Sequence, residues 1–224
     1  MPELARKCID SWKKYLPEYE IKEWNEDNFD INTYPYVREA YENRRFAFVT
    51  DVVRLHALFY EGGVYMDTDV EVLKPLDSLL GYDIVSGFES DKQIPTGLMA
   101  SQVGMPFILE LLQDYNDAHF VKSDGTIDLT TNVERITQHC LKYGIKLNNT
   151  LQTVNGFTFL PKDYLCPKSY DDGKIRLTEN TLVIHHFAGS WYTPIEKMKQ
   201  RVAKILGPRL SSFLARIKSL LMSK

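Results

Sequence analysis

The stretch FAFVTDVVRLHALFYEGGVYMDTDV, residues 46–70, constrains the fold of this chain more than any other. Phe48, Val52, Leu55 and Phe59 recur at intervals of four, three and four, one apolar stripe of a helix. Gly62-Gly63 ends that helix, because glycine takes the left-handed backbone of a helix stop without steric cost. The residues after it read as a strand broken around Asp67-Thr68-Asp69. Val64 and Met66 share one face with Val70 and Val72, while Tyr65, Asp67 and Asp69 share the other. A helix thus turns sharply into a strand whose end carries two carboxylates. On a straight strand they would stand roughly 7 Å apart, so one cation could hold both directly only if the strand bends. Divalent cations such as Mg²⁺ and Mn²⁺ are commonly held by one or two carboxylates plus phosphate oxygens. An isolated Asp-x-Asp is short and common, and alone it reads as a solvated acidic turn.

Its surroundings change that reading. Asp51 and Arg54 lie at i and i+3 on the preceding helix, so they share a face. As a surface ion pair they would contribute a few tenths of a kcal/mol. Alternatively, the Gly-Gly turn aims this carboxylate and guanidinium at the pocket that holds Asp67 and Asp69.

Elsewhere the pattern predicts helices over 2–15, 34–41, 105–119 and 132–143, and strands at 19–24, 64–66, 70–73, 83–88, 94–100, 150–154, 157–160 and 181–185. Two further helices, over 194–206 and 208–222, are separated by Gly207-Pro208. Strands alternating with helices indicate an α/β protein. The chain has 224 residues with 44% hydrophobic and 25% charged, enough for one large domain. The net charge of −3 leaves no nucleic-acid footprint. Cys8, Cys140 and Cys166 form no CxxC pair and read as reduced thiols. The first residues lack the apolar run of a signal peptide, and no apolar run reaches the roughly 18 residues of a membrane span.

The stretch FVTDVVRLHALFYEGGVYMDTDVEVLKPLDSLL, residues 48–80, resembles the core of the DxD sugar transferases grouped as glycosyltransferase family 32, and the glucosylating bacterial toxins share a similar core. The likeness continues through the GFE of residues 87–89 and resumes in NTLVIHHFAGSW, residues 180–191, and the segment from Ser11 to Ile31 is also similar. It covers roughly residues 2–195. DxxR, Gly-Gly, DxD and HHxxGSW in that order are far more specific than any one of them.

The resemblance implies a GT-A fold, an α/β domain with a central mixed sheet, here forming residues 1–195 and followed by a helical tail over 196–224. It implies transfer of a sugar from a nucleotide-sugar to an acceptor, saccharide or lipid-linked, with retention of anomeric configuration. By the same resemblance Asp69 and His186 bind a Mn²⁺ or Mg²⁺ ion, and Asp67 holds the donor ribose or a metal-bound water. Asp51 and Arg54 contact the donor sugar, Tyr65 lines the pocket, and Ser190 and Trp191 close over the diphosphate. His185 and His186, being adjacent on a strand, face opposite ways, one as ligand and one as a core histidine. The family opens with an apolar inner strand, whereas this chain starts with a helix. The expectation is that further residues precede Met1, or that a neighbouring chain fills the vacant strand position.

Two alternatives compete. A haloacid-dehalogenase-type phosphatase also uses DxD after a strand, but the fifth position here is Glu71 rather than Thr or Val. A truncated, non-catalytic sugar-binding module is the second. From residue 195 onward eight basic residues face one acid, Glu196, a net of +7 that leaves −10 on the rest of the chain. The acid-free 208–222 segment carries an apolar stripe and would suit an anionic membrane surface, each cation contributing about 1 kcal/mol. The expectation is a cytoplasmic enzyme of surface polysaccharide synthesis, such as a capsule, held peripherally on the inner membrane surface.

Overall fold

The computed structural model describes residues 1–189 except 91, 95, 96, 170 and 171. Ser190, Trp191, the two helices expected after residue 193 and the basic tail lie outside the described residues. Met1–Phe187 form one compact unit.

Six α-helices and seven strands are described: α1 Glu3–Tyr15, α2 Pro35–Glu42, α3 Phe46–Tyr60, β1 Gly63–Met66, β2 Val70–Val72, β3 Ile84–Gly87, β4 Leu98–Ser101, α4 Pro106–Gln113, α5 Asn132–Lys142, β5 Gln152–Val154, β6 Phe157–Leu160, α6 Lys162–Leu165 and β7 Val183–His185. Five strands make a mixed sheet in the order β1-β4-β3-β6-β5, and β2 pairs with β7 in a separate ribbon. The β3–β6 pair is parallel; β1–β4, β3–β4 and β5–β6 are antiparallel.

Alternation along the strands builds two cores. Ile84, Met99, Phe157 and Phe159 face α2, α3, α4 and α5. Val85, Leu98, Ala100 and Leu160 face α1 and the β2–β7 ribbon. Val64, Met66, Val70 and Val72 belong together to the second core, and Tyr65 packs against the first, as the period of two requires. α1 is fastened to the ribbon by specific bonds: Trp12 Nε1 donates to the Val70 carbonyl at 2.7 Å, and the Val72 N–H donates to Ser11 Oγ at 2.9 Å.

The α3–β1 turn forms as its glycines demand, with φ of +70° at Gly62 and +88° at Gly63. Residues 19–24, expected to form a strand, do not. Only Tyr19 and Trp24 of that segment turn inward, Trp24 edge-on to His56 of α3, while Ile21 is 47% exposed. No described strand pairs with them, so the alternation has no ladder to join. Residues 1–24 therefore supply a helix and a loop, and among the described residues β1 stands at the edge of the sheet.

Candidate active site

The strand ends at Met66, and Asp67-Thr68-Asp69 is a turn, closed by the Val70 N–H on the Asp67 carbonyl at 3.0 Å. Here the structure corrects the straight-strand reading. The turn sends β1 and β2 into different sheets and folds the two carboxylates toward each other. His185, at the end of β7, joins them, and one ligand atom from each of Asp67, Asp69 and His185 lies within 4.8 Å of the others.

Antiparallel pairing of β2 with β7 sets which histidine arrives. Val70 is opposite His185 and Glu71 opposite Ile184. His185 Nε2 lies 3.5 Å from Asp69 Oδ1. His186, the expected ligand, turns away and gives its Nε2 to Glu71 Oε2 at 2.8 Å. The His186 N–H donates to the Asp69 carbonyl at 3.0 Å, and Lys168 Nζ donates to the His186 carbonyl at 2.6 Å. The two histidines do diverge, His185 toward Asp69 and His186 toward Glu71. His186 clamps the backbone of the turn while His185 faces the carboxylates. Burial alone would raise Glu71, but hydrogen bonds from Lys7 and His186 outweigh it and hold the carboxyl below its ordinary range.

Asp51 and Arg54 are not a surface pair. Arg54 is only 5% exposed. Its Nη2 lies 3.2 Å from both Asp51 Oδ1 and Asp67 Oδ1, and its Nε donates to the Thr50 carbonyl. Tyr65 Oη donates to the same Asp67 oxygen at 2.8 Å, and the guanidinium lies 4.7 Å from the Tyr65 ring centre. Asp51 Oδ2 accepts from the Asn132 N–H at 3.1 Å, at the start of α5. That helix is anchored by a capping box between Thr131 and Glu134. Burial pushes Asp51 up to about 6 against the opposing pull of Arg54 and the Asn132 N–H, with Asp67 adding to the rise.

His185 is the reciprocal case. Burial disfavours its charged form, yet the carboxylates of Asp69 and Asp67 prevail and push it up to about 10. Two clustered carboxylates favour a positive charge beside them. A set of two carboxylates and one imidazole fits a divalent transition ion such as Mn²⁺. The ring rests on Gly97: a Cβ there would lie 2.8 Å from His185 Nδ1. The Gly97 carbonyl accepts the Asp67 N–H at 2.8 Å, so one residue supports both sides of the cluster.

Asp51, Arg54, Tyr65, Asp67 and Asp69, expected together from the sequence, do meet in space. His185 beside the carboxylates, with Gly97 and Asn132 as supports, was not expected. The adjacent histidines mark the place, but only the β2–β7 register tells them apart.

Residues 2–85, which include the DTD turn, match the family described as glycosyltransferase sugar-binding region containing DXD motif. This match, with the relatives below, supports a likeness to the DXD-type glycosyltransferases. It is 30% identical over 113 residues to inositol phosphoceramide mannosyltransferase 3 of Schizosaccharomyces pombe, covering 49% of this chain and 31% of that protein. It is 28% identical over 112 residues to mannosyl phosphorylinositol ceramide synthase SUR1 of Saccharomyces cerevisiae, covering 48% and 28%. A shorter match, 47% over 47 residues, links it to glucan organizing enzyme 1 of Cryptococcus neoformans, covering 21% and 13%. The matched segments span less than a third of the length of these relatives. The central mixed sheet flanked by helices is consistent with a GT-A-like fold.

Proposed function

We propose that this chain is a metal-dependent glycosyltransferase that moves a hexose from a nucleotide-sugar to a hydroxyl of a saccharide or lipid-linked acceptor, with retention of configuration. The observation that carries the proposal is the convergence of Asp67, Asp69 and His185 at one end of the sheet, inside a chain matched by a DXD sugar-binding family. Two relatives bear mannosyltransferase or mannosyl-synthase names with lipid acceptors, which favours mannose as the sugar.

Asp69 and His185 would hold the ion, with Asp67 as its third ligand or as the contact to the donor. A divalent ion at this position supplies stabilisation of the charge that grows on the departing diphosphate. The chain's own residues keep the ligands in place. Arg54 fixes Asp67 and is itself fixed by Asp51, whose carboxylate α5 orients through Asn132. Such a preset arrangement costs no reorganisation as charge develops. Asp51 and Arg54 thus act as positioning residues for Asp67 rather than as the sugar contacts first expected. The hold of Arg54 and Tyr65 on Asp67 Oδ1 suits a fixed ligand better than the attacking nucleophile of a phosphatase.

The test is a thermal-shift panel of UDP- and GDP-sugars with and without Mn²⁺. A ligand that binds only the folded state raises Tm by mass action. A shift seen only with metal and nucleotide-sugar together supports the proposal; no shift with any pair overturns it. Membrane attachment through the basic 208–222 segment, in a cytoplasmic enzyme, belongs to the same reading. Among the described residues no helix is long and apolar enough to cross a bilayer. Salt-sensitive co-sedimentation with anionic liposomes, lost when the chain ends at Leu206, tests the attachment.

A further inference from the structure

The topology brings one more carboxylate to the same end of the sheet. β4 lies between β1 and β3 and runs antiparallel to both, so Gly97, just before β4, sits at the finishing ends of β1 and β3. β6 is parallel to β3 and finishes at that end too. Asp67 follows β1 directly, Glu89 follows β3 by two residues, and Lys162 follows β6 by two. Glu89 is half-buried there, and its N–H donates to the Gln93 carbonyl at 3.1 Å. The charges acting on its carboxyl are those of His185, Lys162 and Asp67.

The neighbouring carboxylates are committed. Asp51 and Asp67 hold Arg54, Asp69 faces His185, and Glu71 takes Lys7 and His186. Glu89 makes no side-chain hydrogen bond or ion pair with the described residues. Nor does it belong to the cluster of atoms that could share a metal ion. Glu89 is only half-buried, and its carboxylate can accept hydrogen bonds from a ligand beside it. Burial holds its carboxyl above the ordinary range, with His185 and Lys162 opposing and Asp67 adding to the rise. A ligand presenting several hydroxyls beside the metal cluster would satisfy it.

We infer that Glu89 contacts the transferred sugar, its carboxylate accepting hydrogen bonds from sugar hydroxyls. The inference rests on the donor reading above.

Calorimetry of the full chain in Mn²⁺ tests it, with GDP, GDP-mannose, UDP and UDP-glucose as probes and Glu89→Gln as the isosteric variant. The variant should bind the free nucleoside diphosphate as the wild type does. It should bind the corresponding nucleotide-sugar about tenfold or more weakly, the effect of one charge-assisted hydrogen bond. Unchanged binding of the nucleotide-sugar overturns the inference. So does an equal loss for the diphosphate alone, because Glu89 would then act on the metal or the fold. A wild-type protein that binds none of the four probes overturns the donor reading and this inference with it.

Discussion

Replacing Gly97 by alanine puts a methyl group against the ring of His185. The new Cβ would lie 2.8 Å from Nδ1 and 3.0 Å from Cε1 and Cγ. Ordinary contact begins at 3.4 Å, so the ring must yield by about 0.6 Å. Three ring atoms at similar distance mean that the methyl meets the ring's face, so spinning the ring in its own plane does not relieve the clash. The backbone is held by the pairing of His185 with Val70, and the Phe187 ring lies 4.3 Å from the imidazole centre to centre. Displacement therefore falls on the 3.5 Å approach of Nε2 to Asp69. Changes just behind a metal ligand cost about 10–100-fold in metal affinity, and misplacement by about 1 Å can cost about 10²-fold in rate. The backbone at Gly97 lies outside the left-handed region, so alanine adds no conformational strain. Overpacking should cost about 1–3 kcal/mol. Calorimetric titration with Mn²⁺, beside melting curves of the metal-free proteins, separates the two effects. The expected result is a folded variant with Mn²⁺ affinity lowered about tenfold or more. Wild-type affinity for Mn²⁺ would refute the placing of His185 among the ligands.

Arg54→Lys keeps the charge but loses the rigid guanidinium whose Nε is held by the Thr50 carbonyl and whose Nη2 is thereby aimed between Asp51 and Asp67. Sugar transfer should fall about tenfold or more while the fold survives, whereas Arg54→Met strands the buried Asp51 carboxylate and should cost about 3–5 kcal/mol in urea unfolding. Burial would raise Glu39, but the Val121 N–H and His119 outweigh it and depress its pKa from 4.5, so its stabilisation is present above that pH and lost as pH falls through the depressed value. Glu39→Gln should therefore lower Tm at pH 7, with the gap to wild type narrowing in acid; a gap constant with pH would contradict the assignment.

What could be read from the sequence was what is local. The α3 stripe, the Gly62-Gly63 stop and the clustering of Asp51, Arg54, Tyr65 and Asp67 all arise from spacing within a single helix–turn–strand unit. What could not be read depends on pairing across the chain. His185 and His186 differ by one residue, and a slip of one residue exchanges the faces of a strand. Only the register against Val70, 115 residues away, decides which meets the carboxylates. Glu89 stands in the GFE stretch of the resemblance, but its place beside the cluster comes from the insertion of β4 between β1 and β3. The alternation was carried straight through the DTD turn because its apolar flanks share a face. They do pack into one core, but from two different sheets.

Metal dependence of the DTD turn is decided by Mn²⁺-dependent release of nucleoside diphosphate from a nucleotide-sugar, compared between wild type and Asp69→Asn. Asparagine keeps the shape of Asp69 and removes its charge. The wild type should show metal-dependent turnover, and the variant should lose it while melting within a few degrees of the wild type, since the half-buried Asp69 sits in a turn outside both cores. Full turnover by Asp69→Asn in Mn²⁺ would contradict that dependence.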